Sequence, residues 1–232
     1  LVAHLPTVRC LLLDLRGHGD SEHVVPPAYA ASDHAADLAR LVRTLTTPYA
    51  LAAHSAGALA AAHFVARTVR ADGLVPPRAL AWLDIDPRVP QHQVDYFRQR
   101  APALARPVPA VDDMVDSFHR IYPRIPTDAL RAFVREGLRP VDGGWRLKLD
   151  PATYATWAPE DLGPLLPSIG CPTLALRGEA SAVSSVDGLA ALAAGIPRCE
   201  VRQLPGASHL LLLEAPARVA QELGEFLARH AA

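Results

Sequence analysis

The sequence predicts an α/β fold built on a doubly wound and mostly parallel sheet. Short apolar segments bounded by turn residues are typical of strands that are buried on both faces, and helical patterns separate most of these segments. Half of the 232 residues are apolar, which is enough material for a hydrophobic core. The predicted strands are 9–15, 49–55, 79–85, 172–178 and 199–205.

The predicted helices lie between and after these strands, at 28–46, 57–70, 185–195 and 215–230. In the first helix, apolar residues recur at helical spacing, and Ser32 followed by Asp33 can cap its start. Pro216 falls in the first turn of the last helix, where a proline is favourable. The alternation of strands and helices predicts parallel strands with helices on both faces of the sheet.

One interval breaks this alternation. More than eighty residues separate the strand that ends at residue 85 from the strand that begins at 172, which is too long for a plain crossover. The segment 87–165 carries eight of the 13 aromatic residues and has helical stretches near 110–121 and 127–138. We therefore predict a core of 1–86 and 166–232 with a helical cap insertion of 87–165. Most of its aromatic residues should pack within the cap, and a few should line an apolar pocket.

Composition excludes several classes of partner. The formal net charge is −1, so no basic field predicts binding of nucleic acid. No apolar run approaches the ~20 residues that span a membrane. The three cysteines are scattered singly, without a CxxC or His/Cys cluster, so we predict no metal site and no cofactor. We expect a cytoplasmic protein that acts on a small molecule.

The stretch LAAHSAGALAA (51–61) contains a candidate nucleophile, Ser55, between a predicted strand and a predicted helix. A sharp strand-to-helix turn holds such a serine in a strained conformation and exposes its hydroxyl above the sheet. This turn requires small residues two positions before and two after, here Ala53 and Gly57. Because the usual pattern is G-x-S-x-G, Ala53 is a departure. An ordinary serine in an alanine-rich chain is the alternative.

The stretch LLLDLRGHGDSE (11–22) strengthens the first interpretation. A strand followed by D-x-R-G-H-G-x-S resembles the exit of the fourth strand in the α/β-hydrolase family, where it precedes the helix leading to the nucleophile strand. Gly17 and Gly19 would form the tight turn. The polar side chains of this stretch are expected to order the loop rather than to react: Asp14, Arg16, His18 and Ser21.

A second resemblance lies near the end of the sequence. LPGASHLLLLEAP (204–216) is similar to the loop that presents the catalytic histidine in the same family, followed by the final helix. His209 stands at the position of that histidine. An imidazole titrates near neutral pH, so it can take the hydroxyl proton of Ser55 and return it to the leaving group.

The resemblance leaves three candidates for the acid that orients His209. In many members the acid follows the glycine that ends the strand here at Gly178, but the expected position is Ser181, which cannot ionise. Glu179 is close to that position. Other members place the acid at the end of the strand after the nucleophile helix, which here is Asp84, with Asp86 two residues on. We favour Asp84, then Glu179, then Asp86.

The family also stabilises the transition state with an oxyanion hole. The backbone N–H of Ala56 would supply one donor, at a helix N-terminus. The second donor comes from a loop after an earlier strand, which the resemblance places before residue 1, and LVAHLPTVR (1–9) is similar to the tail of the helix that follows. Loss of one donor costs ~3 kcal/mol of transition-state stabilisation. The resemblance thus implies either a fragment or a truncated, weakly active member, without the family's first strands.

These expectations define the predicted function. The resemblance implies a serine hydrolase that cleaves an ester, thioester or related acyl bond, possibly a C–C bond, of a small apolar acyl compound. Ser55 would form an acyl-enzyme, with His209 as the base and Asp84 as the orienting acid. The alternative is a non-catalytic or weakly active ligand-binding protein of the same fold, which Ala53 and Ser181 favour.

Overall fold

A four-stranded parallel sheet is the centre of the computed structural model, which describes residues 1–230. In chain order the strands are β1 Leu51–His54, β2 Leu80–Leu83, β3 Arg88–Val89, β4 Leu138–Val141, β5 Gly144–Leu147, β6 Glu160–Asp161, β7 Thr173–Gly178 and β8 Cys199–Leu204. The central sheet has the order β1-β2-β7-β8, with every neighbouring pair parallel. The other strands form two small antiparallel pairs, β3 with β6 and β4 with β5.

Helices cover both faces of the central sheet. They are α1 Ala31–Val42, α2 Ala56–His63, α3 Val69–Ala71, α4 Gln91–Leu104, α5 Val111–Ile121, α6 Thr127–Glu136, α7 Ala152–Ala155, α8 Val186–Gly195, α9 Leu211–Glu214 and α10 Pro216–His230. A π-helical turn at Phe64–Thr68 connects α2 to α3, and short 3₁₀ helices lie at Val2–His4 and Gly163–Ser168. Within the described chain, no helix is both long and apolar enough to cross a membrane.

The buried strand β2 shows why the fold has two helical layers. Its side chains alternate: Leu80 and Trp82 pack with α1, α2 and α8, whereas Ala81 and Leu83 pack with α10. All four are almost fully buried. A strand with both faces covered needs a continuous apolar run, and LAWL supplies one. The predicted α/β fold with a parallel sheet is confirmed.

The predicted strand 9–15 is wrong. This segment pairs with no strand among the described residues, and its first three leucines are exposed, with Leu12 83% accessible. An apolar run indicates that a segment can be buried in a sheet, but a strand also needs a partner for its backbone N–H and C=O groups. The apolar run alone could not reveal that residues 1–230 contain no such partner.

Two predicted helices also differ in detail. The predicted helix 28–46 is reduced to α1, and Asp33, rather than Ser32, caps it by accepting a hydrogen bond from the backbone N–H of Ala30 (2.9 Å). The predicted helix 57–70 begins at Ala56 and is interrupted by the π-helical turn.

The segment 87–165 leaves the sheet after β2 and returns before β7. Its two ends pair through β3 and β6, and its middle has a separate apolar cluster. The helices α5 and α6 match the predicted stretches, but the hairpin of β4 and β5 makes the segment less purely helical than predicted. The buried members of the cluster are Val115, Ile125, Leu130, Val134 and Leu138.

Candidate active site

The candidate residues gather at the carboxyl ends of neighbouring parallel strands. Ser55 directly follows β1, Asp84 directly follows β2, and His209 lies on the loop after β8. The backbone ladder extends to the first two: the N–H of Ser55 donates to the carbonyl of Leu83 (2.9 Å), and that of Asp84 donates to the carbonyl of Leu176 (2.8 Å). Since parallel strands place their carboxyl ends at one edge, the fold brings these residues together.

Ser55 has an unusual backbone conformation, with φ 54° and ψ −130°. Positive φ is strained for a residue with a side chain, and such strain is typical of a nucleophile held on a strand-to-helix turn. Ala53 packs against the apolar core. A methyl group at Gly57 would meet no atom within 4 Å beyond its own helix. The prediction that the turn requires a small residue at position 57 is therefore wrong, because this position faces open space.

Asp84 forms a hydrogen bond with His209, with 2.8 Å between Oδ2 and Nδ1. The carboxylate is fully buried and accepts three further hydrogen bonds: on Oδ1 from the backbone N–H of Gly178 (2.7 Å) and the hydroxyl of Ser184 (2.8 Å), and on Oδ2 from the hydroxyl of Ser181 (2.6 Å). Burial opposes ionisation, but these hydrogen bonds, led by that of His209, outweigh it and hold the pKa of Asp84 below its ordinary value.

This contact defines the proton arrangement of His209. An ionised carboxylate only accepts hydrogen bonds, so Nδ1 of His209 carries the hydrogen and Nε2 of the neutral ring is free to accept a proton. Within residues 1–230, neither Nε2 of His209 nor the hydroxyl of Ser55 has a hydrogen-bond partner. The distance between a nucleophile and its base is often long in a ligand-free structure. Both groups can therefore form hydrogen bonds with a bound ligand.

The other candidate acids have separate partners. Glu179 accepts a hydrogen bond from the backbone N–H of Gly206 (2.8 Å) and so supports the loop that leads to His209. Asp86 accepts from both the backbone N–H and the hydroxyl of Ser185 (2.8 and 2.7 Å), at the start of α8. Neither carboxylate forms a hydrogen bond with His209 in the described part of the chain. Of the three, only Asp84 has the contact required of an orienting acid.

Gly178 allows the loop of His209 to approach the sheet. A Cβ atom at this position would lie 2.5 Å from the carbonyl oxygen of Ser208 and 2.6 Å from that of Ala207. The hydroxyl of Ser208 donates in turn to the carboxylate of Glu214 (2.7 Å) in α9. A side chain at position 178 would push this loop away from Asp84. The close approach of the loop therefore requires glycine at this position.

The loop at 14–21 has the ordering role expected from the sequence. The guanidinium of Arg16 binds both carboxylate oxygens of Asp37 in α1 (2.5 and 2.6 Å). The carboxylate of Asp14 accepts from the backbone N–H of Asp20 (2.9 Å), and a Cβ atom at Gly19 (φ 57°) would overlap it at 2.0 Å.

Aromatic residues of the segment 87–165 form a stacked group. The ring of Phe97 stacks on Tyr154 (centroids 5.0 Å apart) and meets Trp157 edge to face (5.5 Å). Burial raises the pKa of Tyr154. Leu210 and Leu213, which follow His209, pack against the apolar cluster of this segment. The segment therefore contacts the loop that carries His209.

Ala56 is the first residue of α2. The first N–H groups of a helix have no partner inside it, so this N–H can donate to a negative oxygen beside Ser55.

Sequence reasoning missed three groups of this site. His54 donates to the backbone of His209, Ser184 donates to Asp84, and Glu214 binds Ser208. The adjacency of His54 to Ser55 was a usable signal. No such signal marked Ser184 or Glu214. Ser184 binds Asp84, which is 100 residues away, and the contact of Glu214 with Ser208 depends on the local shape of the loop.

Comparisons with known proteins agree with this fold. The model of a family described as "Alpha/beta hydrolase family" matches residues 1–222. The 2-(acetamidomethylene)succinate hydrolase of Mesorhizobium japonicum is 31% identical over 221 residues, which cover 94% of this chain and 77% of that protein. A crystal structure of E-2-(acetamidomethylene)succinate hydrolase superposes with a TM-score of 0.81 at 29% identity, over 93% of this chain and 80% of that one. An esterase of M. tuberculosis superposes with a TM-score of 0.80 over 93% and 75% of the two chains, and at 21% identity it shows the fold alone.

Proposed function

Since the chain belongs to the α/β-hydrolase family and is a hydrolase, we propose that it is a serine hydrolase that cleaves an ester, thioester or related acyl bond. The observation that carries this proposal is the hydrogen bond between Asp84 and His209, beside the strained turn at Ser55. A buried carboxylate, an oriented imidazole and a serine hydroxyl are the groups that nucleophilic acyl transfer requires.

The proposed reaction begins when the hydroxyl oxygen of Ser55 attacks the acyl carbon and Nε2 of His209 takes its proton. The N–H of Ala56 donates to the negative oxygen of the tetrahedral intermediate. The bond to the leaving group then breaks, and His209 returns the proton to that group, which leaves an acyl-enzyme. Water hydrolyses the acyl-enzyme with the same base, and the carboxylate of Asp84 stabilises the imidazolium at each step.

We propose that the segment 87–165 acts as a cap that supplies an apolar acyl pocket. Its aromatic group and its contact with Leu210 and Leu213 support this role. A small apolar acyl compound is the substrate class that such side chains favour.

The 2-(acetamidomethylene)succinate hydrolase favours a second candidate. An acetamido group contains an acyl–nitrogen bond, which the same nucleophile and base could cleave with nitrogen as the leaving group. Parallel assays with p-nitrophenyl acetate and with a small acetamido compound separate the two candidates by their kcat/KM.

Steady-state hydrolysis of p-nitrophenyl acetate and butyrate by the wild type and by Ser55→Ala tests the proposal. Removal of the nucleophile should lower kcat by more than ~10³-fold. Ser32→Ala, an exposed serine of α1, is the control and should keep full activity. Equal activity of Ser55→Ala would contradict the proposal. A wild type that binds acyl compounds but hydrolyses neither esters, thioesters nor amides would favour the non-catalytic alternative.

A further inference from the structure

We infer that His54 is a positioning residue that holds the imidazole of His209 in place for catalysis. This inference rests on the proposed function, because it assigns His54 a role in the chemistry of Ser55 and His209. It extends that function to a residue that does not itself meet the reacting atoms.

His54 contacts both the backbone and the ring of His209. Its Nε2 lies 2.8 Å from the carbonyl oxygen of His209, and the two ring centroids are 4.7 Å apart with a tilt of 34°. A carbonyl oxygen only accepts hydrogen bonds, so Nε2 of His54 carries the hydrogen and donates it. One side chain thus restrains the backbone position and the ring orientation of the same residue.

The placement of His54 links the base to the nucleophile. His54 is the last residue of β1, and Ser55 follows it directly. The strand end that presents the hydroxyl of Ser55 therefore also fixes the loop of His209, which is 155 residues away in the sequence. Asp84 holds Nδ1 of the same ring from the neighbouring strand.

The partly buried environment of His54 keeps it suited to this role. Burial, together with the neighbouring His209, lowers the pKa of His54 to about 4. At neutral pH the ring is uncharged, so it adds no repulsion when His209 becomes an imidazolium. A charged side chain in the same place would oppose that step.

Two substitutions separate the hydrogen bond from the bulk of the ring. His54→Gln keeps an N–H donor of similar reach, whereas His54→Phe keeps an aromatic ring without a donor. Loss of alignment at a catalytic base can lower the rate by up to ~100-fold, so we expect His54→Phe to reduce kcat for p-nitrophenyl acetate by about 10- to 100-fold. KM should change little, because His54 does not meet the substrate. His54→Gln should recover most of the loss.

Proton NMR supplies a readout that does not depend on turnover. The hydrogen shared between Nδ1 of His209 and Asp84 should give a downfield resonance, assigned by its absence in His209→Gln. We expect this resonance in the wild type and in His54→Gln, and its broadening or loss in His54→Phe. If the Phe variant does not fold, His54→Asn, whose amide is too short to reach the carbonyl, takes its place with the same expected results.

The outcomes distinguish this inference from the proposed function. An unchanged kcat and an unchanged resonance in the folded donor-free variant would overturn the positioning role and leave the hydrolase function standing. A wild type that lacks hydrolytic activity, but whose resonance depends on His54, would support the restraint on His209 while the proposed function failed.

Discussion

At the scale of single residues, the carboxylate of Asp84 is held by several independent contacts. Each oxygen accepts two hydrogen bonds, and the side chain has no exposed surface. A buried charge is tolerated only when its hydrogen-bonding capacity is satisfied, and here the donors also lower its pKa. The resulting fixed anion beside His209 can stabilise an imidazolium without reorganisation.

We predict that Asp84→Asn lowers kcat for ester hydrolysis by up to ~10⁴-fold, because an amide favours the wrong tautomer of His209. Glu179→Gln should keep most of the activity, since Glu179 binds Gly206 rather than His209. Steady-state kinetics on folded protein measure both effects. The reverse result would move the orienting acid to Glu179.

The two serines that bind Asp84 allow the hydrogen bonds to its two oxygens to be compared. Ser181 donates to Oδ2, the oxygen that also binds His209, whereas Ser184 donates to Oδ1. Loss of either hydrogen bond to a charged group should lower the free energy of unfolding by about 1.5–3 kcal/mol. In Ser181→Ala, Oδ2 attracts the proton of His209 more strongly, so the acid limb of kcat/KM should move to higher pH. Ser184→Ala should move it less, and an equal shift in both variants would contradict this assignment.

At the scale of elements, the site depends on neighbouring strands that end together. The sequence predicted β2 and β7 because strands buried on both faces are continuously apolar. It also predicted β1 and β8, the two outer strands of the sheet, which are partly exposed. It failed at 9–15, where an apolar run has no pairing partner in residues 1–230, and at the hairpin of β4 and β5, whose short strands include charged arginines. An apolar pattern indicates which side chains can be buried, but it does not indicate which strands pair through backbone hydrogen bonds.

The side-chain contacts between different elements could not be predicted from local sequence patterns either. Asp84 and His209 are 125 residues apart and could be paired only through the family resemblance. The contacts of Ser184 and His54 span 100 and 155 residues. His54 adjoins Ser55 in the sequence, but no local pattern indicates which residue either side chain contacts. The candidate residues could thus be predicted from the sequence, whereas the network that holds them required the fold.

The start of α8 supplies a test at this scale. Asp86 binds the backbone N–H and the hydroxyl of Ser185, and that hydroxyl accepts from the N–H of Gly188 (2.8 Å). We predict that Asp86→Ala lowers the free energy of unfolding by about 1 kcal/mol, as loss of a helix cap does. Urea denaturation measures this change. The kcat of the folded variant should stay close to that of the wild type, and a loss like that of Asp84→Asn would assign Asp86 a catalytic role instead.

In the whole molecule, histidines with lowered pKa values couple folding to pH. His34 in α1 is buried, and within the described residues its Nδ1 has no hydrogen-bond partner. Burial, with smaller contributions from the charges of His18 and Arg16, lowers its pKa from the ordinary 6.5 to about 4. His54 has the same depressed value. Both rings are neutral in the folded protein at pH values where the unfolded chain binds protons.

We therefore predict that the free energy of unfolding decreases as pH falls from 6.5 to about 4. Each histidine should contribute a slope of up to about 1.4 kcal/mol per pH unit. Asp84 adds a further loss at lower pH, because a carboxylate with a depressed folded pKa stabilises the protein only while it is ionised. Urea titrations between pH 7 and 4 measure the slope. His34→Gln should reduce it, and an unchanged slope would contradict the assignment to His34.

In the proposed hydrolase, Ser55 is a nucleophile that His209 activates. Incubation with a fluorophosphonate, followed by intact-protein and peptide mass spectrometry, tests it most directly. We expect one covalent adduct on the peptide that contains Ser55, no adduct in Ser55→Ala, and strongly slowed labelling in His209→Gln. Folded wild-type protein that stays unlabelled, or an adduct that persists in Ser55→Ala, would contradict it.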